Sequence, residues 1–225
     1  GFGIASQIIP TFARKKLFNW QATDFSMKKE PKQARSKASV AAMVEACARI
    51  LERHGYAGLS TNAIAQVAGV SIGSVYEYFP GKEAVVARLS EALLAETTSL
   101  LHDRLDLTSS RNDLPVAMRH FLGALYSLMR RQRKLLRVLV FQVPYLHQLP
   151  ATRQLQKDLQ QVLESGLQKT RQHYQMTVHP HTLYLMATST AGSLLHLVLM
   201  APAGLDHEAI LDTLATKLSE WLIAG

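Results

Sequence analysis

The stretch Leu59 to Phe79, LSTNAIAQVAGVSIGSVYEYF, decides the fold. Ser60 or Thr61 is placed to cap a short helix ending near Val67, Gly69 permits a left-handed turn, and Ser71 is placed to cap a second short helix. Two short helices joined by a glycine-containing turn of about three or four residues make a helix-turn-helix. Ile64, Ala68, Val70, Val75 and Phe79 have the spacing to bury inward against a preceding helix. Ile72, Gly73 and Ser74 stand outward at the start of the second helix, with Tyr76 and Tyr78 further along. An α-helix fits the major groove of DNA, and the turn presents its first residues to the base edges, so small outward residues at that end suit a close approach. Helix N-termini attract anions, so the amides at Ser60-Thr61 and at Ser71 are candidate phosphate contacts, as is the ammonium of Lys82.

Upstream, Val40, Met43, Val44, Cys47, Ile50 and Leu51 recur at helical spacing from Lys37 until Gly55 stops the run after His54. Residues 1–36 show no sustained periodicity and read as a flexible basic arm, in which Met27-Lys28-Lys29-Glu30-Pro31-Lys32 looks like a start preceded by extra residues. Downstream, Pro80-Gly81 breaks the chain and Lys82 opens a long helix with Val85, Val86, Leu89 and Leu93 among its apolar positions. Further helices are expected over Leu114 to Arg131, Lys134 to Val143, Thr152 to Gln175, His181 to Met200 and Asp206 to Ile223, with breaks at Ser109-Ser110, Pro144, Pro150, His179-Pro180 and Pro202 to Gly204. No strand is expected. The fold class is therefore all-α: an arm over 1–36, a three-helix helix-turn-helix domain over 37–81 with its motif at 60–79, and a helical domain over 82–225.

Charge agrees with that division. Residues 1–90 hold 12 Lys and Arg against 6 Asp and Glu, while the rest hold 13 against 11, so the basic excess sits at the N-terminal end, as a polyanionic partner would require. The single cysteine, Cys47, excludes an intrachain disulfide framework, fits a reducing cytoplasm and lies on the apolar stripe of the first helix, where a small core residue is expected. Residues 182–205 lack Asp, Glu, Lys and Arg and are long enough to cross a bilayer. Thr188, Ser189, Thr190, Gly192, Ser193, His196 and Pro202 suit close helix packing better than lipid, so no membrane association is expected.

The run from Lys37 to Leu89, roughly a quarter of the chain, resembles the DNA-binding domain of the tetracycline-repressor (TetR) family. The resemblance rests on Ser60-Thr61, Ile64-Ala65, Ala68-Gly69-Val70-Ser71, Gly73, Tyr76, Tyr78-Phe79 and Lys82-Glu83. It implies that Thr61, Ser71, Gly73, Ser74, Tyr76, Tyr78 and Lys82 touch DNA, the tyrosines and Lys82 mostly at phosphates. Together with Ser60 and Ile72 these form the candidate DNA face. No Arg or Lys occurs among residues 71–79, so base selection is left to apolar contacts, DNA shape or the arm residues Lys28 to Lys37.

A single reading head needs a homodimer to reach two half-sites of a double-stranded operator. The candidate interface lies on the last two helices, at Leu185, Ser189, Gly192, Ser193, Leu211, Leu214, Leu218 and Trp221; the resemblance implies a four-helix bundle with the mate. It further implies a ligand pocket in the helices between, whose occupation changes the spacing of the heads. Candidate lining residues are Phe121, Leu125, Tyr126, Met129, Phe141, Tyr145, Met186 and His196, a set suited to an apolar or aromatic small molecule. The Arg130-Arg131-Gln132-Arg133-Lys134 run with Arg137 reads as an exposed helix corner, or else as a site for an acidic ligand or partner.

Catalysis is the rival class. His179-Pro180-His181 could seed a metal site, but Pro180 prevents a regular helical pair and no acidic or cysteine ligand is near, so no metal or cofactor is expected. No phosphate loop or serine elbow occurs. A second rival keeps the DNA-binding head and replaces the small ligand with a protein partner. The expectation is a cytoplasmic transcriptional repressor, not an enzyme, released from its operator by a ligand.

Overall fold

The computed structural model describes residues 23–104, 114–155, 157–158, 161 and 179–224. No strand occurs among them. The chain divides into two compact units at Leu89/Ser90, inside a helix rather than at that helix's start.

In the N-terminal unit, α1 spans Ala34–His54. It begins three residues before the expected Lys37 because Gln33 and Ser36 form a local cap: the Gln33 N–H donates to Ser36 Oγ at 3.2 Å and Ser36 Oγ donates to the Gln33 carbonyl at 2.8 Å. Val40, Met43, Ala46, Cys47, Ile50 and Leu51 form its buried stripe. Gly55, at φ 67°, ends it and donates its N–H to the Leu51 carbonyl at 3.0 Å. A 3₁₀ turn at Tyr56–Gly58 leads to buried Leu59.

Helix α2 covers Thr61–Ala68 and α3 covers Ile72–Tyr78. Ile64, Ala65, Val75 and Phe79 are buried as the core of this small unit, while Ala68 and Val70 are only half-buried. At roughly 1.5–3 kcal/mol for each large apolar side chain taken out of water, this shared core, and not the propensity of helices two turns long, holds α2 and α3 in place. Helix α4 runs over Lys82–Arg104, and the buried Ala84, Val85, Val86, Ala87 and Leu89 in its first two turns explain why the N-terminal unit extends to Leu89.

In the C-terminal unit, α5 covers Leu114–Arg131, as expected, and α6 covers Arg133–Gln142. Residues 150–155 are helical; most of the helix expected over Thr152 to Gln175, and the break at Ser109-Ser110, lie outside the described residues. Helix α7 spans Pro180–Leu199 and α8 spans His207–Ala224. Phe121, Leu122, Leu125, Met186, Leu194, Leu197, Leu211, Leu218 and Leu222 interlock α5, α7 and α8 in one apolar core. Arg119 on α5 pairs with both Glu208 and Asp212 of α8, and Tyr126 on α5 hydrogen-bonds His207 at the start of α8. By length and composition, α7 is the one described helix that is able to cross a membrane.

Candidate nucleic-acid interface

The two short helices are set by their caps. Ser60 Oγ accepts from the Ala63 N–H at 3.1 Å, and Ser71 Oγ accepts from the Ser74 N–H at 3.0 Å, so each N-cap serine satisfies one amide of the first turn. Between them Gly69 sits at φ 69°, ψ 32°, a left-handed conformation that a side chain would strain. Its N–H reaches the Gln66 carbonyl at 3.3 Å, and the following Val70 N–H reaches the Ala65 carbonyl at 3.0 Å, which closes α2 and turns the chain into α3.

The turn leaves an exposed edge made of Ser60, Ser71, Ile72, Gly73 and Tyr76, with Thr61 and Ser74 half-buried beside them. Tyr76 ties the two helices together on this edge: its hydroxyl lies 3.1 Å from Thr61 Oγ1. Ile72 is 39% exposed and Tyr76 45%, so both side chains stand on the surface of this edge. A methyl group added at Gly73 would meet only Ser71 Oγ, at 3.7 Å, so nothing inside the subunit requires a glycine there.

Two of the expected contacts differ. Tyr78 is 7% exposed and belongs to the core, because Val75, Tyr78 and Phe79 share the inward face of α3 at i, i+3 and i+4; its ring is not free to lie against a phosphate. Lys82 donates to the Leu59 carbonyl at 3.0 Å and stands 4.4 Å from the Tyr56 ring centroid, so its ammonium is already engaged and offers only its remaining protons to an anion.

The arm also behaves differently from a free tail, at least where it is described. The Lys28 N–H donates to the Tyr78 carbonyl at 2.8 Å, and Lys28 Nζ donates to the Tyr76 carbonyl at 2.9 Å. Lys29 pairs with Glu77 and lies 5.0 Å from the Tyr78 ring centroid. These contacts join residues 48 to 50 apart, and no local periodicity could have revealed them. Cys47 is fully buried on α1, and burial pushes its thiol up to about 12.

In the C-terminal unit, Phe121, Leu125, Tyr126 and Met186 are buried in the common core, with Met129 packed against it, and Tyr145 is fully buried. Phe141 and His196 do not face inward as expected. The inward positions of α6 are Leu135, Val138 and Leu139, which leaves Phe141 53% exposed. His196 stands eleven residues after Leu185 on the outer face of α7. That outer face carries Leu185, Gly192, Ser193 and His196 exposed, with Ser189 half-buried. On α8, Trp221 is exposed and Leu214 half-buried, whereas Leu211 and Leu218 are each 1% exposed inside the subunit's own core and are not available to a mate. The His179 and His181 rings stack on each other with centroids 5.1 Å apart, and among the described residues no group of three His, Cys, Asp or Glu is arranged to hold a metal ion.

Residues 43–89 match the family model of bacterial regulatory proteins, tetR family. The fold is similar to that of a TetR transcription regulator from Haloarcula marismortui (TM-score 0.62, 21% identity, 84% of this chain and 98% of that one). It is similar also to the fatty acid degradation regulator FadR from Bacillus halodurans (TM-score 0.57, 18% identity, 88% and 97%) and to the flavonoid-responsive regulator FrrA (TM-score 0.58, 24% identity, 84% and 97%). At these identities the likeness is one of fold. No curated protein matches the sequence significantly.

Proposed function

We propose that this chain, which carries a TetR-family helix-turn-helix domain and the fold of TetR-type transcriptional regulators, is a homodimeric repressor that a small apolar or aromatic molecule releases from its operator. The observation that carries the reading is the edge formed by Ser60, Thr61, Ser71, Ile72, Gly73, Ser74 and Tyr76: polar or small side chains around two helix N-termini, with an internally unnecessary glycine at its centre. Such an edge offers amides and hydroxyls to phosphates and lets the backbone of α3 come close to bases. Lys82 adds its remaining ammonium protons at the border.

Dimerisation follows from the need to span two half-sites about one helical turn, roughly 34 Å, or a multiple of it apart. The outer face of α7, with Leu185, Ser189, Gly192 and Ser193, joined by Leu214 and Trp221 of α8, is the surface that a mate would cover. Ligand entry is assigned to the C-terminal unit, where Phe121, Leu125, Tyr126, Met129, Tyr145 and Met186 supply aromatic and thioether surface. Regulators of this fold include one that responds to flavonoids and one of fatty acid degradation, and both chemistries suit such a lining. The division of labour is an arm before α1, a reading head to the start of α4, and a sensor and dimerisation domain beyond it. The protein acts in the cytoplasm, on DNA and without a membrane or cofactor.

Release is a shift of populations. A ligand dislodges the dimer only by binding more tightly to the conformation whose heads mismatch the operator, since equal affinity for both conformations moves nothing. The experiment is to select bound duplexes from genomic fragments, label one, and add a panel of flavonoids and medium- to long-chain fatty acids to the complex. Release by members of one class supports the sensor reading; retention of the complex under all of them, with a protein co-purifying, supports a protein partner instead.

A further inference from the structure

The recognition helix α3, IGSVYEY, carries one charge, the carboxylate of Glu77. A helix that enters the field of a polyanion with a net negative charge is repelled at the distances where its exposed residues act, within the Debye length of about 8 Å at physiological salt. No cation within α3 compensates. The cation that does comes from 48 residues upstream: Lys29 pairs with Glu77, and the pairing raises the Lys29 pKa, chiefly through that hydrogen bond.

Lys29 is delivered by its neighbour. The final carbonyls of a helix lack intrahelical partners, and in α3 two of them are taken by Lys28, whose N–H donates to the Tyr78 carbonyl and whose ammonium donates to the Tyr76 carbonyl. The same ammonium sits where the helix dipole is negative. Three consecutive residues of α3, Tyr76, Glu77 and Tyr78, are thus held by two consecutive lysines, with Lys29 also against the Tyr78 ring. Tyr76 is the same residue whose hydroxyl reaches Thr61 on the exposed edge, so the clamp holds the backbone that carries this aromatic side chain of the candidate DNA face.

Resting on the DNA-binding reading above, we propose that Lys28 and Lys29 are positioning residues for operator binding, and that Lys29 acts through Glu77 rather than by touching DNA itself. The arm supplies from a distance the charge balance that the recognition helix lacks.

The test is a double-mutant cycle on the full chain: wild type, Lys29→Ala, Glu77→Gln and the double variant, titrated by fluorescence anisotropy against a duplex that the wild type selects from a random library. Lys29 and Glu77 are about half exposed, 52% and 49%, so all four proteins should fold with similar melting temperatures. Lys29→Ala is expected to weaken binding roughly three- to tenfold in the wild-type background and by less than about twofold once Glu77 is Gln. Equal losses in both backgrounds would mean that Lys29 acts on DNA independently of Glu77 and would overturn the proposal, as would no loss in either. If the wild type selects no duplex at all, the regulator reading falls, and this inference falls with it.

Discussion

Replacing Gly73 with Ala should move stability and DNA binding in opposite directions. Gly73 is the second residue of α3, right-handed and exposed, and the added methyl would meet only Ser71 Oγ at 3.7 Å, an ordinary contact. Glycine within a helix is about 0.8–1 kcal/mol worse than alanine; near the N-terminus of so short a helix about half of that is expected, so the variant gains about 0.5 kcal/mol. The gain is readable as slower amide exchange in α3 and a higher urea midpoint with an unchanged slope. If the backbone at Gly73 lies against the bases, the same methyl intrudes on a packed interface at about 1–3 kcal/mol, a loss of roughly five- to 150-fold in operator affinity. A variant that is more stable and binds operator as well as wild type would remove Gly73 from the DNA face. A less stable variant would refute the packing argument itself.

Other consequences can be checked in the same preparations. Tyr76→Phe removes the hydroxyl beside Thr61 and should lower operator affinity by up to about tenfold with little change in melting, while Tyr76→Ala should lose more. Leu185→Glu, on the outer face of α7, should give folded monomers by sedimentation velocity, whereas Leu211→Ala, 1% exposed, should destabilise the subunit by about 2–5 kcal/mol in urea. Cys47 should resist thiol reagents at pH 8 until the protein unfolds. Because its folded pKa lies above the unfolded value, its contribution to stability is complete below about pH 9 and is lost as the pH rises from there towards 12.

Most of the helical order was legible because apolar residues at i, i+3 and i+4 mark the buried faces of α1, α5 and α8, and because Gly55, Gly69 and the prolines mark the breaks. The edges of the recognition unit were equally legible from Ser60 and Ser71, which cap the helices they precede. For Tyr78 the resemblance implies a place on the DNA face, but its register sets it beside Val75 and Phe79 on the inward face. For His196 and Phe141 the chemistry suits a pocket, but helical geometry turns both outward. Leu211 and Leu218 lie on an apolar stripe, and a stripe alone does not say whether its partner is the same chain or another. The lysine clamp on α3 was invisible because nothing in a sequence couples residues 28–29 to residues 76–78 except the folded chain.

The central claim is that the edge around Gly73 and Tyr76 reads operator DNA in a sequence-selective manner as a dimer. The most direct measurement is a salt-varied anisotropy titration of the wild type against a selected pseudo-palindromic duplex and a scrambled duplex of equal length, with stoichiometry read from the saturation point. The account predicts two half-sites filled by one dimer, a preference of at least about 10³-fold for the selected duplex, and a steep loss of affinity with salt. Equal affinity for both duplexes, or no binding at low salt, would contradict it.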